Sequence, residues 1–188
     1  MIISKFSNFI HQYLFSGEAS FYPTQYGCKN CGYMGKLHRH GYYYRNVITV
    51  FGTYKIKVLR VKCPSCKKTH ALLPHFLVPY FQYSFYTILF LLFLNFVLGF
   101  SYSEVLSKIE KYKSLCSLNP SSLSRFHKRF ISKCSEIKFF FANFTDIYPE
   151  FDLNKSGVLI KYIISYERRN ISFNTSYFDS MPSYFFSS

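Results

Sequence analysis

Hydrophobic and polar positions alternate with a period of two over part of the first half of the chain. Two runs rich in Tyr, Val, Ile and Thr, residues 42–50 and 54–62, are separated by a Phe-Gly-Thr turn pattern. In the second run lysines alternate with apolar residues until the alternation shifts by one residue after Val58. The pattern predicts a β-hairpin, with a bulge near Val58 to explain the shift.

A long apolar segment follows this hairpin. Residues 78–100 carry no charge and are numerous enough to span a bilayer. Four polar side chains interrupt the segment, and three of them share one side of a helix. Its polar residues are Gln82, Ser84, Thr87 and Asn95. We therefore predict a buried core helix, and a transmembrane span over about residues 80–100 is the alternative.

The periodicity becomes helical after residue 100. Ser101 and Glu104 have the spacing of a capping box at the start of one helix. A loop of about residues 113–119 follows, and Asn119 with Pro120 is typical of the start of a second helix. The pattern extends this second helix to about residue 133. Two helices joined by a turn predict a helix-turn-helix unit.

The second helix of this pair has a basic, hydroxyl-bearing face opposite an apolar stripe. The apolar positions are Leu123, Phe126, Phe130 and Ile131. On the opposite face, hydroxyls near the helix start and Arg and Lys further along have the chemistry that contacts phosphates and base edges. The predicted DNA contacts of this helix are Ser122, Arg125, Lys128 and Arg129. The alternative is an ordinary amphipathic helix with a solvated basic face.

These patterns divide the chain into four parts. We predict a lead helix within residues 1–20, with Phe6, Phe9, Ile10 and Tyr13 on one side. The hairpin module is expected over residues 21–77 and the helical module over 78–135. Residues 136–188 show no clear period and are predicted to be a poorly ordered or truncated extension. The expected fold class is α+β, with a small β-hairpin module followed by an all-α module.

The charge of the chain gives information about its binding partner. The chain of 188 residues has 23 Lys and Arg against 9 Asp and Glu, a formal charge of +14, and no acid lies between Glu18 and Glu104. A surface of one sign indicates an anionic partner, DNA before RNA or an anionic membrane. The basic residues expected to form a docking surface on the hairpin are Arg39, Arg45, Lys55, Lys57, Arg60 and Lys62.

Two Cys-x-x-Cys pairs flank the hairpin strands: Cys28 with Cys31, and Cys63 with Cys66. Four thiolates from two such pairs form a closed tetrahedral site that suits one structural Zn²⁺, which makes the hairpin a zinc ribbon. His38, His40 and His70 lie nearby in the sequence and are the alternative ligands.

The compartment follows from the remaining cysteines and the amino terminus. Residues 1–6 lack a secretory pattern, so a reducing cytosol is expected and metal binding is favoured over disulfides. Cys116 and Cys134 lie outside the paired pattern, and we expect them to be small buried apolar residues.

The order of these motifs resembles the amino-terminal DNA-binding part of insertion-sequence transposases, a family of bacterial zinc-ribbon and helix-turn-helix proteins that often lack an assigned function. The resemblance covers about residues 25–135. It rests on Cys28-Lys-Asn-Cys31, His38-Arg39-His40-Gly41, Arg60-Val61-Lys62-Cys63-Pro64-Ser65-Cys66 and Leu72-Leu73-Pro74. It implies zinc at the four cysteines and DNA contact through the second helix of the pair. It also implies that the apolar segment is the leading helix of the helical part.

The function expected from the sequence is a zinc-stabilised, transposase-like DNA-binding protein that is derived from a mobile element and is cytoplasmic and nucleoid-associated. We expect no enzyme, because the five acids after Glu136 lie in about fifty residues, too few to build a two-metal phosphoryl-transfer domain. One alternative is a membrane-anchored protein with a cytosolic zinc-ribbon interaction module. The other is a zinc ribbon that binds RNA or protein.

Overall fold

The computed structural model describes residues 2–4, 10–16, 27–144, 155–168 and 172–181. The fold contains both strands and helices, as the sequence predicts. In chain order the elements are β1 (Ile2–Ser4), α1 (Ile10–Ser16), β2 (His38–Thr49), β3 (Gly52–Lys62), β4 (Thr69–Pro74), α2 (Phe85–Phe96), α3 (Tyr102–Ile109), a 3₁₀ turn (Lys113–Leu115), α4 (Pro120–Phe144), α5 (Ser156–Arg168) and α6 (Phe173–Ser180).

The predicted hairpin is present as β2 and β3, and β2 is an edge strand of the sheet. Strands β2, β3 and β4 are antiparallel in that spatial order, and β1 adds to the outer edge of β4 in parallel. Thr49 pairs with Gly52, so the hairpin loop has two residues. The hydroxyl oxygen of Thr49 accepts the N–H groups of Phe51 and Gly52 at 3.1 and 3.2 Å, which fixes the tight turn.

The bulge lies in β2, so its predicted position near Val58 in β3 is wrong. The register shifts between Arg39 and Tyr42, while the β3 pairing continues through Val58 without a shift. Gly41 has φ +84°, and glycine adopts this conformation without a Cβ penalty, which makes it a favourable place for the extra residue. The alternation in β3 changes because Val58 and Leu59 are both buried, at 0% and 3% exposure.

The lead segment is only partly helical. Residues 2–4 lie in the segment for which a lead helix was predicted, but they form β1 and pair with Leu72, Leu73 and Pro74 of β4. An edge strand leaves backbone groups unpaired, and β1 satisfies those of β4. The helix α1 covers Ile10–Ser16 and buries Tyr13 against the sheet cluster, while the predicted positions Phe6 and Phe9 lie outside the described residues.

The sheet and the helices are joined by hydrogen bonds near the hairpin tip. Ile48 donates its N–H to the Gln82 carbonyl at 2.8 Å, and its own carbonyl accepts the Ser84 N–H at 2.9 Å. The Ser114 hydroxyl donates to the Thr49 carbonyl at 2.6 Å and to the Val50 carbonyl at 3.2 Å. The buried residues up to Leu77 form one hydrophobic cluster, and those from Val78 onward form another. The hydrogen bonds of Ile48 and Ser114 connect the parts of the chain that contain them.

The apolar segment contributes a short helix to the core. Helix α2 has 12 residues and begins at Ser84, whose hydroxyl caps the helix by accepting the Thr87 N–H. At 1.5 Å per residue it is about 18 Å long, against about 30 Å for a bilayer core. Most of its side chains are buried in the helical cluster. Across the part of the chain that the structure describes, no helix combines the length and apolarity needed to cross a membrane.

The carboxyl-terminal part contributes to the core, which corrects the prediction of a poorly ordered extension after residue 135. Helix α4 runs to Phe144, and α5 and α6 follow. The Phe173 ring is fully buried and stacks near Phe85 of α2, with 6.3 Å between ring centroids. Helix α6 also extends to the loop before β2, where Lys29 Nζ lies 3.5 Å from an Asp179 carboxylate oxygen.

A polar network crosses this core. The Tyr86 hydroxyl donates to Glu167 Oε2 at 3.0 Å, and the Phe173 N–H donates to Oε1 at 2.7 Å. His75 Nε2 lies 3.2 Å from the same Tyr86 hydroxyl, and the Asn174 amide donates to the His75 carbonyl at 2.7 Å. The network joins the end of β4 to α2, α5 and α6, and its hydrogen bonds satisfy polar groups that burial would otherwise penalise.

Replacing Glu167 by glutamine is expected to remove one source of pH dependence. Burial raises the pKa of Glu167 above its ordinary value. The folded chain therefore holds the proton more strongly, so its stability falls as pH rises from the ordinary to the raised pKa. Urea unfolding between pH 4 and 7 measures this fall, and Glu167→Gln should flatten it. Glu167→Gln leaves the four clustered cysteines unchanged. If the free energy of unfolding had the same slope against pH in this variant and in the unchanged protein, the prediction would be contradicted.

Candidate metal centre and basic surfaces

The two Cys-x-x-Cys loops repeat one backbone geometry. In the first loop Cys28 donates its N–H to the Tyr33 carbonyl at 2.8 Å and accepts the Gly32 N–H at 2.9 Å. In the second loop Cys63 makes the equivalent bonds with Lys68 at 2.9 Å and with Lys67 at 3.1 Å. The residue after each second cysteine has positive φ: Gly32 at +71° and Lys67 at +60°. We call these loops the two knuckles.

The knuckles bring all four cysteine sulfurs together. The hairpin places the second knuckle at the end of β3 and the first shortly before β2, so both lie at the base of the strand pair. The four Sγ atoms lie within 4.8 Å of one another. Two contacts join the two knuckles: Cys28 Sγ is 3.6 Å from Cys66 Sγ, and Cys31 Sγ is 3.7 Å from Cys63 Sγ.

These distances fit one tetrahedral metal ion. A tetrahedron with metal–sulfur bonds of about 2.3 Å has sulfur–sulfur edges of about 3.8 Å. The two short separations are close to this value, and all four sulfurs are within reach of a common centre. Cys28 and Cys63 are buried, at 2% and 0% exposure. The arrangement is therefore compatible with a single structural metal site that holds the base of the hairpin.

The ionisation of the thiols differs across the cluster. Burial raises the pKa of Cys28, and the Lys68 N–H bonded to its sulfur lowers the pKa of Cys66. Thiolates are the species that bind metal, so Cys66 ionises before Cys28, which must lose its proton when an ion binds.

Of the three candidate histidines, only His70 touches the sulfur cluster. Its Nε2 lies 3.2 Å from Cys28 Sγ, and the ring is buried at 6% exposure. Burial lowers the pKa of His70, so the ring is neutral at pH 7 and its Nε2–H can donate to the Cys28 sulfur. Such a bond supports a ligand from outside the coordination shell. His38 and His40 are exposed.

Replacing Lys67 by glycine is expected to stabilise the second knuckle by up to about 1 kcal/mol, because glycine adopts a positive φ without a Cβ penalty. Gly32→Ala should lower the free energy of unfolding by about 1 kcal/mol for the same reason, since no other atom lies near the added Cβ. Lys67→Ala is the control, since it removes the bond from Lys67 Nζ to the Pro64 carbonyl but keeps the strained backbone. Urea unfolding in excess zinc would measure the differences, and equal stability of Lys67→Gly and Lys67→Ala would contradict the argument.

The basic residues of the hairpin do not form one surface. Residues opposite each other in an antiparallel pair share a face, so Lys57 lies beside Tyr44 and Lys55 beside Asn46. Alternation continues along β3, which places Arg60 and Lys62 on the other face. The single basic surface was predicted from the lack of acids in this stretch, which does not show the face on which each basic side chain lies. Arg39 is exposed at the start of β2, beside the bulge.

Arg45 has a structural position. Its guanidinium donates to the Val78 carbonyl at 2.6 Å and also to the Phe81 carbonyl. Arg45 pairs with Ile56 and so lies on the face of β2 that Val47 and Ile56 bury against the core. These contacts fix the loop before α2 to the sheet.

Two exposed tyrosines occupy the face that carries Lys55 and Lys57. Tyr42 is 51% exposed and Tyr44 is 56% exposed, and their rings make a T-shaped contact with centroids 5.7 Å apart. Lys57 Nζ lies 3.9 Å from the Tyr42 ring centroid, and Lys55 Nζ lies 5.0 Å from that of Tyr44. We call these four residues the tyrosine–lysine face. The sequence analysis missed it because tyrosines are common throughout this chain.

The predicted helix pair is present as α3 and α4. The Ser101 capping box forms with both of its hydrogen bonds, and the Asn119 side chain accepts the Ser122 N–H at 2.9 Å at the start of α4. The connection contains the 3₁₀ turn and spans residues 110–119. Helix α3 packs on α4, and both helices contact α2.

The start of α4 forms one wall of an open groove of about 580 Å³. Three of the predicted DNA contacts line it, together with two serines that the prediction left out. The lining residues are Tyr102, Pro120, Ser121, Ser124, Arg125, Lys128 and Arg129. We call this the α4 groove. The Arg129 guanidinium also lies 4.7 Å from the Phe81 ring centroid, so its stem is held against the core.

Ser122, the fourth predicted contact, lies outside the lining of the α4 groove. Its hydroxyl donates to Asn119 Oδ1 at 3.1 Å, as part of the helix cap.

The two unpaired cysteines are not fully buried, contrary to expectation. Cys116 is exposed after the 3₁₀ turn, and Cys134 is partly buried in α4. The Cys134 thiol donates to the Phe130 carbonyl at 3.4 Å, and burial raises its pKa, which disfavours the thiolate form.

Comparison with known proteins identifies one matching family. A family described as "Domain of unknown function (DUF6431)" matches residues 28–92. The matched region is similar to that family from the first knuckle through β4 and into α2, so it includes all four clustered cysteines. No curated protein and no solved structure matches the chain.

Proposed function

We propose that this chain is a DNA-binding protein whose zinc ribbon, residues 27–77, is stabilised by one Zn²⁺ and whose helix pair α3–α4 docks on duplex DNA. The four-sulfur cluster supports zinc, because thiolate-only tetrahedral sites suit this ion and leave no position open for catalysis. The proposal keeps the likeness to the amino-terminal part of insertion-sequence transposases and assigns the chain no enzymatic step.

The observation that carries the proposal is the α4 groove. Its cations and hydroxyls project from the first turns of a helix whose other side is buried through Leu123, Phe126 and Phe130. The sequence has no acid between Glu110 and Glu136, so the groove is complementary to phosphates. A helix presented in this way fits the major groove of B-DNA.

The zinc ribbon has a supporting role in this proposal. The metal site holds the base of the hairpin, and the loop after β4 leads directly into α2, against which α3 and α4 pack. A folded ribbon thereby positions the start of the helical part, so metal and DNA binding are coupled through the fold rather than through direct metal contact.

The proposal is tested with a fluorescein-labelled 20-base-pair duplex and the full chain, by anisotropy between 50 and 300 mM salt. Log affinity should fall linearly with log salt, and replacing Arg125 and Lys128 by alanine should reduce the slope by about 2. Lys155→Ala with Lys161→Ala on or beside α5 removes the same charge and is the matched control. A salt-independent signal, or equal losses in both double variants, would reject the α4 groove as the DNA site.

A further inference from the structure

We propose that the tyrosine–lysine face binds single-stranded DNA by stacking unpaired bases on Tyr42 and Tyr44. The inference rests on the proposed DNA-binding function and adds a second surface to it, separate from the α4 groove. The proposed ligand of the tyrosine–lysine face belongs to one class, an unpaired DNA strand.

The rings of this face are exposed on β2, an edge strand, where Tyr42 pairs with Leu59 and Tyr44 with Lys57 of β3. More than half of each side chain is accessible, at 51% for Tyr42 and 56% for Tyr44. Large rings on a sheet surface provide flat apolar area at little cost in side-chain entropy, as in other platforms for nucleic-acid bases. The two ring planes meet at 81°, so they cannot stack on the same base, and each ring is expected to take a separate one.

The lysines place positive charge beside each ring. Lys57 Nζ lies over Tyr42 and Lys55 Nζ over Tyr44, at 3.9 and 5.0 Å from the centroids. A base that stacks on the same ring face displaces the ammonium group, which then remains close enough to contact the phosphate of that nucleotide. The surrounding sequence has no acid from residue 19 to residue 103, so the face is complementary to a polyanion.

The combination of rings and cations favours a single strand over a duplex. Bases inside a duplex are stacked on their neighbours and cannot reach a flat ring on a sheet surface. A duplex backbone would engage the lysines but leave the rings without a partner. An unpaired strand uses both, because each nucleotide offers a base face and a phosphate.

The test uses the full chain with zinc bound and a fluorescein-labelled oligothymidylate of 12 nucleotides, followed by anisotropy at fixed salt. Tyr42→Leu and Tyr44→Leu keep an apolar residue on the strand but remove the ring, and each should weaken binding about tenfold. Tyr42→Phe and Tyr44→Phe are the matched controls and should bind like the unchanged protein. Zinc content and far-ultraviolet circular dichroism check that every variant is folded.

Two outcomes would overturn the inference: unchanged binding in folded Tyr→Leu variants, or tighter binding of an RNA strand of equal length than of the DNA strand. The same variants on the 20-base-pair duplex separate this inference from the proposed function. The Tyr→Leu variants should keep duplex binding, and Arg125→Ala with Lys128→Ala should keep single-strand binding. If both ligands respond to the α4 variants and neither to the tyrosine variants, the tyrosine–lysine face is not a binding site.

Discussion

Removal of the proposed metal ion, by chelation or by Cys63→Ser, is expected to unfold the base of the hairpin and abolish the proposed DNA binding. Binding of zinc to four thiolates contributes on the order of 10 kcal/mol to the folding of such a module. Cys63 is fully buried and lies where β3 ends, so serine there removes a ligand without changing an exposed surface. Metal analysis, circular dichroism melts and the duplex-binding assay measure the three losses.

The matched control for this prediction is Cys116→Ser, at an exposed cysteine outside the sulfur cluster. It should retain one zinc per chain and melt at the same temperature as the unchanged protein. If Cys63→Ser also held one zinc per chain and melted normally, the four sulfurs would not be the ligands of a structural ion.

Phe173→Ala is expected to lower the free energy of unfolding by about 3–5 kcal/mol, the usual cost of emptying a buried aromatic site. The Phe173 ring is fully buried and lies against Phe85 of α2, Phe141 of α4 and Tyr177 of its own helix. A loss of this size would show that α6 belongs to the cooperative core. Urea unfolding followed by circular dichroism gives the value.

Phe51→Ala supplies the comparison, because Phe51 is 84% exposed at the hairpin loop. Its substitution should change stability by less than about 0.5 kcal/mol, as surface substitutions usually do. A similarly small change for Phe173→Ala would mean that the carboxyl-terminal helices add little to the stability of the fold.

The sequence predicted those elements whose determinants are local. The hairpin follows from two runs of β-forming residues and a short turn, and the capping box at Ser101 follows from two residues three positions apart. The cluster of four cysteines was predictable because two Cys-x-x-Cys pairs are typical of one shared metal site.

Features that depend on distant parts of the chain were not predictable in this way. The pairing of β1 with β4 joins residues about seventy positions apart, and no local pattern specifies it. The docking of Phe173 was missed because its short helix lies in a serine-rich and asparagine-rich segment without apolar periodicity. Both depend on which surfaces the rest of the fold leaves uncovered.

The assignment of charges to faces failed for a different reason. Lys55 and Arg60 were expected on one surface, but a one-residue change in register moves a side chain to the opposite face. The sequence shows that the alternation changes without showing which strand contains the extra residue. Arg45 was also expected on the docking surface, but its guanidinium donates hydrogen bonds to two carbonyl groups within the fold.

The hairpin is fastened at both ends, which has a mechanical consequence. The Ser114 hydroxyl holds the carbonyl groups of Thr49 and Val50 at one end, and the two knuckles meet at the other. When one end of a strand pair is free, a pulling force can break its hydrogen bonds one after another. When both ends are restrained, the force acts along the strands and loads many of these hydrogen bonds at once. A pulling force applied through DNA bound as proposed would therefore load β2 and β3 together, instead of separating the two strands from one end.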